Sequence, residues 1–235
     1  MELSKRLKRI AEHVDKCESV ADIGTDHGYI PIYLVKEGIC KKAIASDINK
    51  GPIEKAKVNV AFEGVSNKVK CLLGPGLNPL KVGEVNGVIL AGMGGNLTRD
   101  ILLADMDKVK KYDFIILQPA QNPEVLREFL YKNDYEIIDE DLIKDEGRFY
   151  ELFKVKYNEN SEKLVFEDEL EYEVSPLLRE KGHPLFKEFI EEKINRCETI
   201  LSFIKEDTEA AKKRKSDLEE KINKLNLLSC YEKIA

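Results

Sequence analysis

Short apolar runs rich in β-branched residues alternate, along the first part of the chain, with segments whose apolar positions recur at helical spacing. Most runs are continuous, which is typical of strands covered on both faces. They predict strands at residues 19–24, 43–47, 69–73, 88–91 and 114–118. The intervening segments predict helices at 30–37, 53–62, 97–104 and 124–133, with an earlier amphipathic helix at 3–14. This alternation indicates right-handed crossovers and an open, parallel α/β sheet.

The end of this region changes character. Two further strand-like runs, residues 135–143 and 149–157, are joined by residues 144–148 alone. That loop is too short for a helical crossover, so we expect these two strands to be antiparallel.

The last third of the chain reads as a polar linker followed by helices. Residues 158–167 are polar, a short acidic helix is expected at 175–181, and His183-Pro184 is a helix-start signal. Apolar or small residues then recur in steps of four and three, at Ile190, Ile194, Cys197, Leu201, Ile204, Leu218, Ile222 and Leu225.

Such spacing is that of a coiled-coil seam. The same phase meets Thr208, Ala211 and Lys215, which are poor core residues. We therefore predict two helices folded as a hairpin with the turn near Asp207, one continuous helix being the alternative. The chain would have two domains, residues 1–157 and 158–235.

Composition narrows the class of protein. Hydrophobic residues make up 43% of the chain, enough for a core. No stretch approaches the ~20 apolar residues of a membrane span, and the first residues do not resemble a signal peptide, so we expect a cytoplasmic protein. The five cysteines are scattered and the three histidines lack metal spacing, so we expect no metal.

Charge does not exclude a nucleic-acid partner. The formal net charge is -6, and the acidic excess is concentrated in residues 121–180. A local basic face can still bind RNA.

The strongest motif follows the first predicted strand. It has the pattern Asp22-x-Gly24-x-Asp26-x-Gly28, followed by Tyr29. Glycines at a strand-to-helix turn let a ligand approach the backbone. The carboxylate of Asp26 would repel a pyrophosphate and suits an ammonium or sulfonium group.

Two more candidate loops follow the second and third strands. Asp47, followed by Ile48 and Asn49, is placed to accept hydrogen bonds from ribose hydroxyls, or it is a turn residue before Pro52. The loop containing Gly74 and Gly76 would border a base, or is a plain turn.

The fourth and fifth strands end in similar candidates. Ala91-Gly92-Met93-Gly94-Gly95 packs poorly as core, which favours close approach of a ligand over a flexible turn. The segment from Leu117 to Pro123, which includes Gln118 and Pro119, supplies amides to read a base edge, or it caps the helix that starts near Pro123. All five loops fall at carboxyl ends of strands, where open α/β sheets bind ligands.

Together these motifs resemble one bacterial family. The segments ADIGTDHGYIPIYL, ASDIN, LAGMGG, LQP and EGRFYEL are similar to those of the S-adenosylmethionine-dependent tRNA adenine-N1 methyltransferases that act on adenine 22 of the D-arm. The resemblance covers about residues 1–157 in detail and the helical tail in kind. It implies a Rossmann-like class I methyltransferase sheet, a coiled-coil hairpin, S-adenosylmethionine as cofactor and tRNA as partner of a monomeric enzyme.

The resemblance also implies roles for residues. The loop from Asp22 to Tyr29 would hold the methionine part of the cofactor, with Asp47, Ile48 and Asn49 at the ribose and Gly74 and Gly76 at the adenine. The residues Ala91 to Gly95 would lie near the methyl group and the target base. Where the family usually has Gly-Asp-Gly, this chain has Pro75, which lacks that acceptor and a backbone N–H.

Adenine N1 can attack a sulfonium methyl directly, so alignment matters more than a strong nucleophile. The base must be unpaired or flipped out. Asp26 is the candidate to stabilise the product charge or accept a proton, or it only pairs with the cofactor's ammonium. His27 would be base, stacking partner or structural, and Tyr29 would stack or pack.

Two basic clusters are candidates for phosphate contacts, and each alone is also typical of a solvated face. They are Lys5, Arg6, Lys8 and Arg9 near the amino end, and Lys212, Lys213, Arg214 and Lys215 in the tail. The alternatives to the enzyme are a methyltransferase for a non-RNA substrate, a degenerate module that binds through its hairpin, and an NAD-dependent oxidoreductase, which Asp26 disfavours.

Overall fold

The computed structural model describes residues 2–229, which form two compact units divided after Glu167. The first unit is built on a sheet with the strand order β3-β2-β1-β4-β5-β7-β6. Its strands are β1 (Cys17–Ile23), β2 (Cys40–Asp47), β3 (Val69–Leu73), β4 (Gly87–Ala91), β5 (Phe114–Gln118), β6 (Tyr135–Asp145) and β7 (Arg148–Tyr157).

β1 to β5 are parallel, and β7 is antiparallel to both β5 and β6. The expected Rossmann-like architecture with an antiparallel terminal hairpin is confirmed.

Helices cover both faces of the sheet. They are α1 (Lys5–Glu12), α2 (Tyr29–Lys36), α3 (Lys50–Phe62), α4 (Gly95–Ala104), α5 (Met106–Val109) and α6 (Pro123–Lys132). The first three pack with Val20, Ile89 and Ile116 in one core cluster, whereas α4 to α6 pack with Ile115 and Leu117 in the other. Successive residues of one strand thus enter opposite cores, which explains the continuous apolar runs.

The β6–β7 hairpin closes through a two-residue turn. Glu146 and Gly147 both have positive φ, 47° and 75°, as a tight primed turn requires. The strands extend further toward each other than the pattern 135–143 and 149–157 indicates, because Asp145 pairs with Arg148 across the turn. β7 enters the sheet between β5 and β6, so β6 is the edge strand.

A buried charge cluster joins α6 to this hairpin. Arg127 is 0% exposed, and its Nη2 donates to Oε2 of Glu140 at 2.7 Å and of Glu151 at 2.5 Å. Burial alone would lower the pKa of Arg127, but the two carboxylates raise it overall, so the guanidinium stays charged. Sequence reasoning missed this cluster because each residue alone reads as surface charge.

The segment expected to be a linker belongs to the first unit. The N–H of Leu164 donates to the Tyr131 carbonyl at 3.0 Å, and the Phe166 ring meets the Tyr131 ring edge-on at 5.2 Å. Lys163 pairs with Asp134 at 2.9 Å. These contacts explain why the units divide after Glu167 instead of at residue 157.

The second unit contains α7 (Leu170–Glu173), α8 (Pro176–Glu180), α9 (Phe186–Phe203) and α10 (Glu209–Ser229). The two long helices pack against each other and break at residues 204–208, where the sequence predicted a turn near Asp207. Ile190, Cys197 and Leu225 of the expected seam are buried. Regular coiled-coil packing stays a prediction.

One expectation about this hairpin was wrong. Ala211 is buried, although it was counted among the poor core residues. Its small side chain fits where α9 and α10 are joined closely. Cys230 lies outside the described residues.

Over residues 2–229, no helix combines the length and apolarity that crossing a membrane requires. That same part of the chain brings no three His, Cys, Asp or Glu side chains together in a way that would hold a metal ion.

Candidate active site

The strand order and the parallel direction of β1 to β5 bring the five candidate loops together at the carboxyl ends of these strands. β1 lies between β2 and β4, so the chain leaves β1 in one direction and later returns on its other side. Open α/β sheets bind ligands at the carboxyl ends of strands at such a switch point. The predicted motifs therefore lie side by side, in the order of the strands that carry them.

The loop after β1 is held by its own backbone. The N–H groups of Gly24 and Thr25 donate to the Ser46 carbonyl at the end of β2, at 2.8 and 2.9 Å. The N–H of Gly28 donates to Oγ1 of Thr25 at 3.1 Å. Thr25 is buried, so it supports the loop from inside, and Gly24 is the exposed member.

Asp22 lies buried beneath this loop. Burial raises the pKa of its carboxyl to about 6, and the hydrogen bond with Thr25 and the charge of Arg6 partly oppose that rise. The charge of Asp47 adds to it. A carboxyl of this kind gains most from a cationic ligand, which would favour its ionised form.

Asp26, His27 and Tyr29 form an exposed chain of contacts. Oδ2 of Asp26 lies 3.0 Å from Nε2 of His27, and the His27 and Tyr29 rings stack at 4.9 Å with 9° between their planes. The Asp26 side chain is 62% exposed and also meets Nζ of Lys55 at 3.3 Å. Asn59 donates to the His27 carbonyl at 2.9 Å. Sequence reasoning missed Lys55 and Asn59, because both lie within α3 and outside the loop motifs.

The ends of β2 and β3 form the next part of the edge. Asp47 accepts from the N–H of Asn49 at 2.7 Å through Oδ1, and within residues 2–229 no donor is found on its second oxygen. Ile48 is 63% exposed, and Leu73, the strand partner of Asp47, is also exposed. Two exposed apolar side chains beside a carboxylate suit a nucleoside. Leu73 was missed because it reads as an ordinary strand residue.

Packing explains why the two positions flanking Pro75 after β3 are glycines. A side chain at Gly74 would overlap Pro79, and one at Gly76 would lie 3.3 Å from Ile101. Pro75 between them is exposed. Direct contact of Gly74 and Gly76 with a cofactor stays a prediction.

The loop after β4 is tied to the loop after β5. The N–H of Gly92 donates to the Gln118 carbonyl at 2.9 Å, that of Ala120 to the Met93 carbonyl at 2.7 Å, and that of Gly95 to the Gln121 carbonyl at 2.7 Å. Gly95 is buried with the Asn122 carbonyl where a side chain would be. These contacts explain by packing alone why residue 95 is a glycine. The backbones of Gly92 and Gly94, in contrast, remain accessible.

Gly24, in the loop after β1, lies against Met93 in the loop after β4. Gly24 has a φ of +78°, and a Cβ there would overlap Cε of Met93. Met93 thus fills the space of a side chain at residue 24, and the exposed backbone of Gly24 and the β4 loop together form one surface, which we call the cradle. Ala91, Gly92 and Met93 form the β4 side of the cradle, and their contact with a cofactor stays a prediction.

Arg6 occupies the site from an unexpected direction. Its backbone N–H donates to Asp145 at 3.0 Å, which brings the side chain over the edge of the sheet. Nη1 donates to Oε1 of the fully buried Gln118 at 2.6 Å, and the guanidinium lies 5.4 Å from the centre of the Tyr150 ring. Gln118 also donates to the Pro119 carbonyl at 2.8 Å. Gln118 and the buried Pro119 thus hold the end of β5 in place beside the site. Their contact with substrate stays a prediction.

The other predicted basic residues are spread more widely. Arg9 pairs with Asp141 and Glu12, and the hydrogen bond with Asp141 raises the pKa of Arg9. Lys5 is exposed on α1. In the second unit, Lys212 pairs with Asp207 and Glu209, and it is followed on α10 by Lys213, Arg214 and Lys215.

The residues present fit S-adenosylmethionine. The exposed backbones of Gly24 and Gly92 and the second carboxylate oxygen of Asp47 lie at the carboxyl ends of neighbouring strands. Carboxylates of Asp22 and Asp26 suit cationic groups, and the exposed Ile48 and Leu73 suit a purine.

Comparisons with known proteins agree with this arrangement. Residues 3–153 match the family model described as a methyltransferase domain. The chain is 40% identical over 152 residues to the tRNA (adenine(22)-N(1))-methyltransferase of Bacillus subtilis (strain 168), an alignment that covers 65% of this chain but only 64% of that relative.

Solved structures extend the similarity to the second unit. The B. subtilis M1A22 tRNA methyltransferase TrmK is 31% identical, with a TM-score of 0.83 over 97% of this chain and 99% of that one. Streptococcus pneumoniae Sp1610, a putative tRNA (m1A22) methyltransferase in complex with S-adenosyl-L-methionine, is 28% identical, with a TM-score of 0.85 over 97% and 100%. The chain therefore belongs to the methyltransferase domain family and, within it, to the family of the tRNA (adenine(22)-N(1))-methyltransferases.

Proposed function

We propose that this chain transfers a methyl group from S-adenosylmethionine to N1 of adenine 22 in the D-arm of tRNA. The observation that carries the proposal is the cradle at the switch point, where the exposed backbone of Gly24 lies against Met93. The likeness to the B. subtilis enzyme supports the choice of substrate.

Binding of the cofactor would use three strand ends. Gly24, Asp26 and Gly28 would hold the methionine part, with the buried Asp22 adding negative charge beneath it. The second carboxylate oxygen of Asp47 would accept from a ribose hydroxyl, and Ile48 and Leu73 would contact the adenine. When bound, the cofactor supplies the methyl group as part of a positively charged sulfonium.

The protein's contribution to the transfer is mainly alignment. The lone pair of adenine N1 forms the new C–N bond while the sulfur keeps the electrons of the broken C–S bond. Holding two reactants in line can supply on the order of 7–11 kcal/mol. Arg6 keeps the end of β5 fixed by holding Gln118, and Gly92 and Gly94 leave room for a base beside it.

Asp26 and His27 are the proposed acid–base pair. Methylation leaves a positive charge on the adenine ring, which is lost when the exocyclic amino group releases a proton. The exposed carboxylate of Asp26 can stabilise that charge, and His27 beside it can take the proton onward. The stacked Tyr29 holds the His27 ring in place.

The target base must leave its stack, because N1 lies on the Watson–Crick edge. We propose tRNA as the partner of a monomeric, cytoplasmic enzyme, with phosphate contacts from Lys5 and from Lys213, Arg214 and Lys215. Arg9 is proposed only as a support of α1, because Asp141 and Glu12 already pair with it.

The test is transfer of a labelled methyl group to an unmodified tRNA transcript and to the same transcript with guanine in place of the D-arm adenine. Label in the first RNA alone is expected, and analysis of the nucleosides should yield 1-methyladenosine. Asp47→Ala should lower cofactor affinity, and Asp26→Asn should lower turnover by a larger factor than it lowers that affinity.

Label in a protein or small molecule instead would assign a different methyl acceptor. Failure to bind S-adenosylmethionine at all would identify a degenerate module, with Pro75 the first residue to restore to aspartate.

A further inference from the structure

The joint between α9 and α10 carries an exposed aromatic ring. Phe203, the last residue of α9, is 76% exposed, which is unusual for a phenylalanine. It borders a groove of about 530 Å³ whose apolar wall continues through Ile200, Ile204 and Ala211. The joint between α9 and α10 thus exposes a large apolar surface to water.

The charged lining of this groove is mainly positive. Its charged members are Lys205, Arg214 and Glu206, and Lys213 and Lys215 lie beside Arg214 on α10. Within residues 2–229, none of these four cations has a carboxylate at ion-pair distance, whereas the neighbouring Lys212 pairs with Asp207 and Glu209. Asp207 and Glu209 therefore pair with Lys212, and the other four cations outnumber Glu206, the carboxylate that lines the groove.

An open aromatic face next to free cations is the combination that unstacked nucleotides recognise. The base stacks on the ring, and the phosphate meets the cations. An apolar partner protein would not need the cations, and a duplex backbone would not need the ring. At about 530 Å³ the groove is large enough to admit a base together with its sugar.

We propose that Phe203 is a stacking platform for one unpaired nucleobase of the tRNA substrate, with Arg214 and Lys205 binding the phosphates that flank it. The proposal rests on the proposed function for its RNA, and it assigns this surface a contact with a base in addition to charge. The joint of the helical unit then recognises an open loop of folded RNA instead of a regular helix.

Phe203→Leu and Phe203→Trp separate the ring from its apolar bulk. Stacking of one base is worth about five- to 100-fold in affinity. The dissociation constant for tRNA should therefore rise about that much for the leucine variant and stay near the wild-type value for tryptophan. Leu227→Ala is the matched control, because Leu227 is 74% exposed on α10 outside the groove.

Salt dependence distinguishes stacking from charge. Phe203→Leu should weaken binding without changing the slope of log K against log salt, whereas Arg214→Ala should reduce that slope by about one. A changed slope for Phe203→Leu, or unchanged affinity, would overturn the platform.

Fluorescence gives a second, direct measurement. The chain contains no tryptophan, so Phe203→Trp introduces a single reporter at this position. Its emission should be quenched by tRNA and unaffected by dilution of the protein alone. Emission that changes with protein concentration and not with RNA would assign the groove to a second copy of the chain and overturn the proposal.

The two proposals fail in different ways. If wild-type protein methylates tRNA and Phe203→Leu binds it equally well, only the platform is wrong. If wild-type protein neither binds nor methylates tRNA, the proposed function is wrong and the platform falls with it.

Discussion

Nη1 of Arg6 donates a hydrogen bond of 2.6 Å to Oε1 of Gln118, across more than half of the first unit's sequence. Gln118 is fully buried, and its other amide atom donates to the Pro119 carbonyl. The bond therefore fixes which side of the amide faces the site, and it connects α1 to the end of β5.

Removing this bond should lower the free energy of unfolding, and the effects of changing Arg6 and Gln118 should not be additive. Arg6→Met leaves a buried carbonyl oxygen without its donor, for which we expect a loss of about 1–3 kcal/mol in the free energy of unfolding. Gln118→Leu removes the acceptor as well, so the double variant should lose less than the sum of the single changes, by about 1 kcal/mol. Urea unfolding of the four proteins measures this.

Lys8→Met, on the exposed part of α1, is the control and should change stability by less than about 0.5 kcal/mol. Strict additivity of Arg6→Met and Gln118→Leu would show that the two side chains do not depend on each other.

Asp22 predicts a pH dependence of stability. Its pKa in the folded protein is raised to about 6 from an ordinary value of 3.8, so the folded state holds its proton more tightly than the unfolded state. The resulting stabilisation is complete below pH 4 and is lost as the pH rises through 6, on the order of 3 kcal/mol.

The Asp22→Asn variant has no titrating carboxyl at this position, so it does not lose this stabilisation as the pH rises. The stability of the variant relative to the wild type should therefore rise between pH 4 and pH 7 in urea titrations without cofactor. A constant difference over that range would contradict the raised pKa.

Alanine substitutions at Gly24 and Gly38 form a matched pair that tests the role of the cradle in cofactor binding. Both have positive φ, 78° and 69°, so an alanine at either site carries backbone strain of about 1–2 kcal/mol. A Cβ at Gly24 would also overlap Met93, whereas a Cβ at Gly38 would meet nothing within 4 Å.

Gly24→Ala should therefore weaken binding of S-adenosylhomocysteine at least about tenfold by calorimetry, since the wall of the cradle would shift. Gly38→Ala should leave that affinity unchanged although it destabilises the fold. Equal effects on affinity would mean that Gly24 acts only through stability.

The buried Arg127 cluster predicts a large and specific loss. Arg127→Met leaves Glu140 and Glu151 without their cation, and we expect the free energy of unfolding to fall by about 3–5 kcal/mol. Replacing all three residues by apolar ones should restore most of it. Arg99→Met, which removes only a surface contact with Asp100, should cost less than about 1 kcal/mol in the same urea titrations.

A triple variant as unstable as Arg127→Met would show that the charges are needed for more than mutual compensation.

Much of the fold was predictable because burial on both faces leaves a direct trace in the sequence. The limits of β3 and β5 agree with the predicted ones, and the parallel sheet with its antiparallel hairpin is confirmed. The hairpin turn was misjudged by a few residues, because a two-residue turn at Glu146 and Gly147 depends on backbone angles that polarity does not reveal.

Long-range partners were not predictable. The bond between Arg6 and Gln118, and the pairing of Arg127 with two strands, join residues far apart in sequence. Each side chain alone has the composition of a surface residue. The identities of loop residues such as Asp26 were visible, whereas the ion pair with Lys55 depends on how α3 is oriented.

The position of β7 between β5 and β6 has a consequence for synthesis. β6 is made first but has no hydrogen-bonding neighbour in the sheet until β7 has left the ribosome. α1 packs on β6, and the Arg6 backbone binds Asp145 at its end, so the amino-terminal helix must wait as well. A nascent chain stalled before Arg148 would therefore expose both an unpaired strand and an undocked helix, and would be a natural client for chaperones.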